Sequence, residues 1–361
     1  MSELEPRPCL QDVKLGHVDG RPDLTHDMNE EEVFRRVWKY YKRNKAAVAE
    51  YVQEGMAGPD ACGKRKRRER VSFIDFDNLG NSPAELAALV HKMDVCNGDG
   101  GESEDVHVKQ AFTVEGRPGF VFIPNPFKSV ERESYWFTRL ALAYARGDVS
   151  ERNHTQDGEA CALDPKLRWA TLGFHYDWKN RRYSEEKQSP FPDELGVLAK
   201  QLAKSVGESI EPETAIVNYY KHGTTMGGHK DDAEWTDEAP VVSISFGNAG
   251  IYVLGGESHS DPGPPAPIPL LIRSGDVVIL GGESRMNVHG VPCLLKNTFP
   301  QSLETSLRNN HENFLGIDQQ STTHTAASVT NYLKTLRVNV NVRQVRTNKM
   351  ILEMLKRRLV K

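Results

Sequence analysis

The alternation of apolar and polar positions divides the chain into two regimes. From Asn29 the run N-E-E-E-V-F-R-R-V-W-K-Y-Y-K-R-N places Val33, Phe34, Val37, Trp38 and Tyr41 at helical spacing, with Asn29 as N-cap and acidic residues in the first turn. It predicts an amphipathic helix packed on the main body. Further on, G-F-V-F-I-P-N-P-F (119–127) reads as a short apolar strand running into a proline-stopped turn. A helix carrying Trp136, Leu140 and Tyr144 at four-residue spacing follows, and residues 193–207 predict another, with Leu195, Leu198, Ala199 and Leu202 on one face.

From 214 onward the period changes to two and to continuous β-branched runs. The predicted strands are T-A-I-V-N-Y-Y (214–220), V-V-S-I-S-F (241–246), I-Y-V-L (251–254), I-P-L-L-I-R (268–273), D-V-V-I-L (276–280) and L-R-V-N-V-N-V-R-Q-V (336–345). Gly, Pro, Asn and Asp clusters separate them, as in a sandwich or barrel of short antiparallel strands. R-S-G-D (273–276) reads as a tight hairpin turn between two of these strands. Residues 294–327 are long, polar and weakly patterned, which marks a functional or disordered insert. The terminal M-I-L-E-M-L-K-R-R-L-V-K predicts a short basic helix. The expected organisation is a tail over 1–28, an N-terminal helical extension with basic and acidic loops over 29–116, a β-rich domain over 117–347 with an insert at 294–327, and a C-terminal basic helix over 348–361. The fold class is mainly β with flanking helices (α+β).

Composition narrows this picture. With 38% hydrophobic and 27% charged residues, the chain is polar but foldable. Its net charge of −4 means that any nucleic-acid partner must be met by a local basic patch. K-R-K-R-R-E-R (64–70) is one such run, readable as a solvated loop, a nuclear import signal or a phosphate contact; N-G-D-G-G-E-S-E-D (97–105) reads as a flexible acidic loop. The five cysteines, Cys9, Cys62, Cys96, Cys161 and Cys293, are scattered and form no C-x-x-C pair, so a reducing compartment fits better than a disulfide framework. No apolar run approaches the roughly 18 residues of a membrane span. The start, M-S-E-L-E-P-R-P, resembles neither a secretory signal nor a transit peptide.

Candidate chemistry begins at G-G-H-K-D-D (227–232). His229 and Asp231, two positions apart in a strand, face the same side and can converge on one ion. A third ligand is available at His289 in M-N-V-H-G-V-P. Two histidines and one carboxylate make the facial triad of non-haem Fe(II) oxygenases, although zinc could also enter such a site. The plainer alternatives are a glycine turn and a buried core histidine. A second H-x-D, His175 and Asp177, lies outside the strand-rich region and is the weaker candidate. In R-V-N-V-N-V-R (337–343), Arg337, Asn339, Asn341 and Arg343 share one face and the valines the other. Two arginines at the ends of about 20 Å of strand could bracket a small dianion such as 2-oxoglutarate, or the strand could be a half-buried edge facing solvent. Residues 166–183 interleave Trp169, Phe174, Tyr176, Trp178 and Tyr183 with Arg168, Lys179, Arg181 and Arg182; they suit base stacking and phosphate contact, or a core.

N-Y-Y (218–220), H-K-D (229–231), His289 and R-V-N-V-N-V-R (337–343), in this order and spacing, resemble the AlkB family of Fe(II)/2-oxoglutarate dioxygenases. R-P-G-F-V-F-I-P-N-P-F (117–127), L-R-W-A-T-L-G-F-H-Y-D-W (167–178), S-F-G (245–247) and the helix F-R-R-V-W-K-Y-Y (34–41) are similar to its AlkB homologue 1 branch. The resemblance covers roughly residues 30–347. It implies a double-stranded β-helix (jelly-roll) core, with iron held by His229, Asp231 and His289, and with 2-oxoglutarate and O2 as cosubstrates. It further implies that Arg337 pairs with the distal carboxylate of 2-oxoglutarate and that Asn218, Tyr220 and Asn339 add hydrogen bonds. Arg343 would lie near the metal-side carboxylate and steady Asp231; the role of Asn341 stays open. The implied activity is oxidative demethylation of N-methylated bases in nucleic acid: tRNA (such as N1-methyladenosine), unpaired DNA (N6-methyladenine), or both. Trp169, His175, Tyr176, Trp178, Arg181 and Arg182 are the candidate substrate contacts. The expected setting is the nucleus, mitochondrion or cytoplasm, and the expected state a monomer without a membrane span. A dioxygenase acting on protein side chains and a catalytically silent nucleic-acid-binding module are the alternatives.

Overall fold

The computed structural model describes residues 30–56, 72–96, 104–145, 150–153, 166–256, 267–309 and 326–359. The tail 1–28, the basic run 64–70, most of the acidic loop 97–105 and the middle of the 294–327 segment lie outside them. In chain order the elements are α1 (Glu30–Arg43), α2 (Lys45–Met56), α3 (Ala84–Ala87), β1 (Val90–Met93), β2 (Ala111–Val114), β3 (Phe120–Ile123), α4 (Val130–Thr138), β4 (Glu151–Arg152), β5 (Trp169–Gly173) and α5 (Asp193–Ser205). Then come β6 (Thr214–Tyr220), β7 (Met226–His229), β8 (Val241–Gly247), β9 (Gly250–Leu254), β10 (Ile268–Ile272), β11 (Val277–Leu280), β12 (His289–Leu294), α6 (Gln301–Asn309), α7 (Ala326–Leu333), β13 (Arg337–Arg343) and α8 (Asn348–Leu359).

Two antiparallel sheets are formed: β1-β2-β3-β11-β8-β13-β6-β5-β4 and β10-β9-β12-β7. Strands β6, β8, β11 and β13 belong to the large sheet and β7, β9, β10 and β12 to the small one, so the chain winds between the two. This is the double-stranded β-helix, or jelly roll. Within the large sheet β13 pairs with β6 on one side and β8 on the other. Val338, Val340 and Val342 are fully buried in one core with the apolar faces of α4, α5, α6 and α7, including Phe137, Leu198, Leu303 and Leu333. Each such valine contributes about 1.5–3 kcal/mol by leaving water. The polar residues of β13 are thereby turned to the opposite face, towards the small sheet.

The outer face of the small sheet is covered by α1 and α2. Phe34, Val37, Tyr41, Val48 and Val52 pack with Ile251, Val253, Leu271 and Cys293. This is the amphipathic helix expected from residue 29. The next predicted helix is capped by the Ser129 side chain, which accepts from Arg132 N at 3.4 Å. It continues as a π-helical turn through Arg139–Ala143, and Trp136, Leu140 and Tyr144 are all buried.

Three sequence expectations change. Residues 273–276 do not close a hairpin, because β10 pairs with β9 whereas β11 pairs with β3 and β8. The turn carries the chain from one sheet to the other. Gly275 takes φ +85°, Asp276 Oδ2 accepts from Arg273 N at 2.7 Å, and the Arg273 guanidinium pairs with Asp75. The same turn chemistry serves a hairpin and a crossing, so the local sequence does not distinguish them. Second, residues 301–309 of the weakly patterned segment form α6, whose Leu303 and Leu307 are fully buried. One pair of leucines spaced by four in a polar nonapeptide is too short a signal to separate from a loop. Third, β1 and β2, which precede residue 117, join the large sheet beside β3.

Candidate active site

The winding of the chain brings His229, the last residue of β7, directly opposite His289, the first residue of β12. Their ring centroids are 4.4 Å apart. Asp231, two residues beyond β7, swings back so that Oδ1 is 3.9 Å from His229 Nε2 and Oδ2 is 3.7 Å from His289 Nε2. The ligand atoms of all three lie within 4.8 Å of one another, and no other such cluster occurs among the described residues. Neighbouring ligands on one face of an octahedron with bonds of about 2.1 Å lie about 3 Å apart, so side-chain adjustments of under about 1 Å would bring both carboxylate–imidazole separations into one coordination shell.

The imidazoles are set for this role. His229 Nδ1 lies 3.0 Å from Gly227 O and His289 Nδ1 3.0 Å from Asn287 O. A carbonyl can only accept, so each Nδ1 carries a proton, and Nε2 is the nitrogen left facing inward to coordinate. Burial pushes the His289 imidazole down to about 4, reinforced by His229 and opposed by Asp231. Burial alone would raise Asp231, but the Arg343 guanidinium, with His289, His229 and Arg285, holds this carboxyl far below the ordinary carboxylate range. Arg343 donates to Asp231 Oδ1 at 2.6 Å, which leaves Oδ2 as the less engaged oxygen. Neutral imidazoles and an ionised carboxylate are the donor set that a ferrous ion takes.

Behind Asp231 stands a buried chain of alternating charges. Arg343 also donates to Glu234 Oε1 at 3.1 Å, and Arg285 donates to Glu234 Oε2 at 2.9 Å and to the Asp231 carbonyl. Neither Glu234 nor Arg285 is marked by the sequence. Their importance comes from tertiary approach, and neither sits in a periodic pattern.

The second half of the site is a cavity lined from the large sheet by Asn218, Tyr220, Ser243, Ser245, Arg337 and Asn339, and from the small sheet by Met226, His229, Tyr252 and His289. Arg337 is buried at one end and faces Tyr220 across the β13–β6 pair. It donates to Ser245 Oγ at 2.8 Å and to the carbonyls of Asn248 and Ile272 at 3.1 and 3.3 Å, while its buried Nε has no partner. Burial without a contacting carboxylate pushes this guanidinium down to about 10, with Tyr220 and Asp276 offsetting part of the shift. A buried, uncompensated cation beside an orphaned donor fits an anionic ligand. Asn339, opposite Asn218, donates to Ser243 Oγ at 2.9 Å. Tyr252 stacks on His289 with centroids 5.6 Å apart. The inward serines of V-V-S-I-S-F are polar at every second position, a signal that could have marked them from the sequence.

The two arginines are placed differently. Arg337 lines the cavity, whereas Arg343 is engaged with Asp231 and Glu234, as expected of the residue that steadies Asp231. Periodicity placed both arginines on one face but could not show their partners.

The candidate substrate residues lie apart from the cavity lining. Trp169 sits opposite Asn218 on β5, and therefore on the same sheet face. Its ring packs at 4.9 Å on Trp178, which in turn meets Tyr176 at 4.8 Å. Trp178 is 45% exposed, and Arg181 and Arg182 are exposed beside it. His175 is buried and bonded to Thr171 Oγ1 at 2.9 Å, so it is removed from this surface. Asp177 is spent on the turn, accepting from the Lys179 and Asn180 amides.

Comparison with known proteins agrees with this geometry. Residues 119–343 match the 2OG-Fe(II) oxygenase superfamily. The human nucleic acid dioxygenase ALKBH1 is 31% identical over 346 residues, covering 87% of this chain and 84% of its own length. The Arabidopsis thaliana DNA N(6)-methyladenine demethylase ALKBH1A is 31% identical over 298 residues, covering 68% and 81%. The Schizosaccharomyces pombe tRNA demethylase abh1 is 35% identical over 187 residues, covering 51% and 54%.

Proposed function

Because this chain belongs to the 2OG-Fe(II) oxygenase superfamily, within its AlkB homologue 1 branch, and is an Fe(II)- and 2-oxoglutarate-dependent dioxygenase, we propose that it demethylates N-methylated bases in nucleic acid. The observation that carries this reading is the buried, unpaired Arg337 in the same cavity as the His229–Asp231–His289 cluster. His229, Asp231 and His289 would hold the iron. Arg337 would take the distal carboxylate of 2-oxoglutarate, with Asn218, Tyr220 and Asn339 supplying hydrogen bonds along its length. Bound iron, 2-oxoglutarate and O2 supply the chemistry: the keto acid is oxidised to succinate and CO2, and the N-methyl group becomes N-hydroxymethyl, which breaks down to the free amine and formaldehyde.

The chain's own part is orientation. Arg343 fixes Asp231, and the two backbone carbonyls fix the imidazole tautomers. A base must be unpaired or flipped to reach the cavity. The Trp169–Trp178–Tyr176 cluster, with Arg181 and Arg182 beside it, is the platform we assign to the flanking nucleotides, and the human, plant and yeast relatives named as acting on nucleic acid, DNA and tRNA support this substrate class. A monomer acting in the nucleus or mitochondrion belongs to the same reading.

The test is formaldehyde and succinate release from methylated tRNA, single-stranded N6-methyladenine DNA and a methylated peptide. Nucleic acid should turn over and peptide should not. Asp231→Ala should abolish both products while RNA binding persists; turnover by that variant would remove the metal assignment.

A further inference from the structure

Of the three side chains of the candidate iron site, His229 is held least by its own strand. Asp231 is clamped by Arg343, and His289 opens β12, which is paired on both sides, with β7 and β9. His229 ends β7, a four-residue edge strand with β12 as its one sheet neighbour among the described residues. The register between them shifts between the His229 and Met226 pairs. Gly227 and Gly228 precede His229, and glycine loses the most backbone freedom when fixed. The His229 side chain is 38% exposed, against 9% for His289.

Helix α1 covers this strand from outside. Phe34 and Trp38 are four residues apart and share one helix face. Phe34 occupies space that glycine leaves open: a Cβ on Gly228 would lie 2.5 Å from Phe34 Cε1, and one on Gly255 would lie 3.0 Å from Phe34 Cδ2. Trp38 Nε1 donates to the Met226 carbonyl at 2.8 Å, satisfying an acceptor on an edge strand. Met226 itself lines the cavity beside His229. One aromatic therefore presses on the residue before His229, and the other pins the start of the strand.

We propose that Phe34 and Trp38 are positioning residues for the iron site, docking α1 onto β7 so that His229 Nε2 stays turned towards Asp231 and His289. The proposal rests on reading His229 as an iron ligand. By linkage, whatever helix docking adds to metal affinity, metal adds to helix docking.

The test uses the full chain with Mn(II), which accepts imidazole and carboxylate donors. Mn(II) affinity is compared, below the unfolding transitions, for the unmodified protein and for Phe34→Ala, Phe34→Leu and Trp38→Phe. Phe34→Ala should weaken Mn(II) binding by roughly tenfold, within the usual range for coupled sites, and Phe34→Leu should recover most of it. Trp38→Phe should weaken it less. Amide exchange over residues 227–230 should speed up in metal-free Phe34→Ala, and Mn(II) should slow exchange over residues 33–41 in the unmodified protein. Tyr51→Phe is the control: it removes a hydrogen bond from α2 to the Asn81 carbonyl and should lower stability without moving Mn(II) affinity. Lower melting temperatures with unchanged Mn(II) affinity and unchanged 227–230 exchange would overturn the proposal and leave α1 a structural cover. If the unmodified chain fails to bind Mn(II), the iron reading falls, and exchange over 227–230 alone decides whether Phe34 braces β7.

Discussion

Arg337 and Arg343 leave the same face of one strand, yet only Arg343 meets a carboxylate: it lies 2.6 Å from Asp231, while Arg337 has no carboxylate in contact among the described residues. The two guanidiniums therefore carry different burdens. Arg343 is part of a neutralised network, and Arg337 is a buried charge awaiting an anion.

That burden makes Arg337→Met informative. Ligand-free stability should hold or rise, because an uncompensated buried cation is replaced by an apolar chain of similar length. Binding of 2-oxoglutarate should fall at least a hundredfold, on the order of the 3 kcal/mol attached to a charge-assisted bidentate contact. The check is thermal melting with Mn(II) alone and with Mn(II) plus 2-oxoglutarate. The Mn(II) increment should survive and the 2-oxoglutarate increment should vanish. A variant that still gains stability from 2-oxoglutarate would move the anion site elsewhere.

The Arg343 network should behave as a unit. Arg343→Gln leaves Asp231 and Glu234 buried with one fewer cation, a loss of about 3–5 kcal/mol in denaturant unfolding. Arg343→Lys should recover only part of it, since one ammonium cannot span two carboxylates as the planar fork does. Removing Glu234 as well should cost less than the two single changes summed, because Glu234→Gln takes away one of the carboxylates that Arg343→Gln strands. Strict additivity of Arg343→Gln and Glu234→Gln would show the two side chains to act independently.

How much of this was written in the chain follows from what each signal measures. The strand period placed Arg337 and Asn339 on one face and the three valines on the other, as the structure has them. The H-x-D pair and His289 lay sixty positions apart, and the winding that unites them was legible from the turn-separated strands and from the family resemblance. Partners were not legible: Arg343 finds Glu234 and Asp231 through the return of the chain after β7. Nor was sheet membership, because Arg273–Asp276 turns the chain equally well within a sheet or between two. Phe34 was expected on a packed helix, but its seat over Gly228 required the three-dimensional approach of α1 to β7.

Near this inter-sheet turn the fold carries a pH dependence. Burial raises the Glu133 carboxyl above its ordinary range, against hydrogen bonds from Ser274 and from Asn125 Nδ2 at 2.9 Å. Nearby, burial and then Asp77 push Asp276 up to about 7. A carboxyl raised in the folded state keeps its proton longer than in the unfolded chain, so its effect is absent below the unfolded value, destabilises increasingly as pH rises from there to the raised value, and is complete above it. Glu133→Gln removes that ionisation. Its melting temperature relative to the unmodified protein should therefore increase from pH 5 to pH 8. A difference that stays flat or shrinks with rising pH would show that Glu133 ionises normally in the fold.

Trp178 offers the sharpest test of the nucleic-acid face. It is 45% exposed and packs on Trp169 and Tyr176 without entering the cavity lining, so Trp178→Ala should scarcely alter stability or 2-oxoglutarate binding. If the ring stacks a nucleotide, its loss costs about 1–3 kcal/mol, which is about a five- to 150-fold weaker affinity for an unpaired methylated oligonucleotide. The loss should appear in KM and leave kcat with saturating substrate largely intact, because the ring lies outside the cavity lining. Arg182→Gln should act differently. Taking this cation away from a phosphate should flatten the salt dependence of binding by roughly 0.7 in the logarithmic slope for a single strand, with little preference among base sequences. If both variants bind and turn over methylated RNA and DNA as the unmodified protein does, the nucleotide platform lies on another face of the jelly roll.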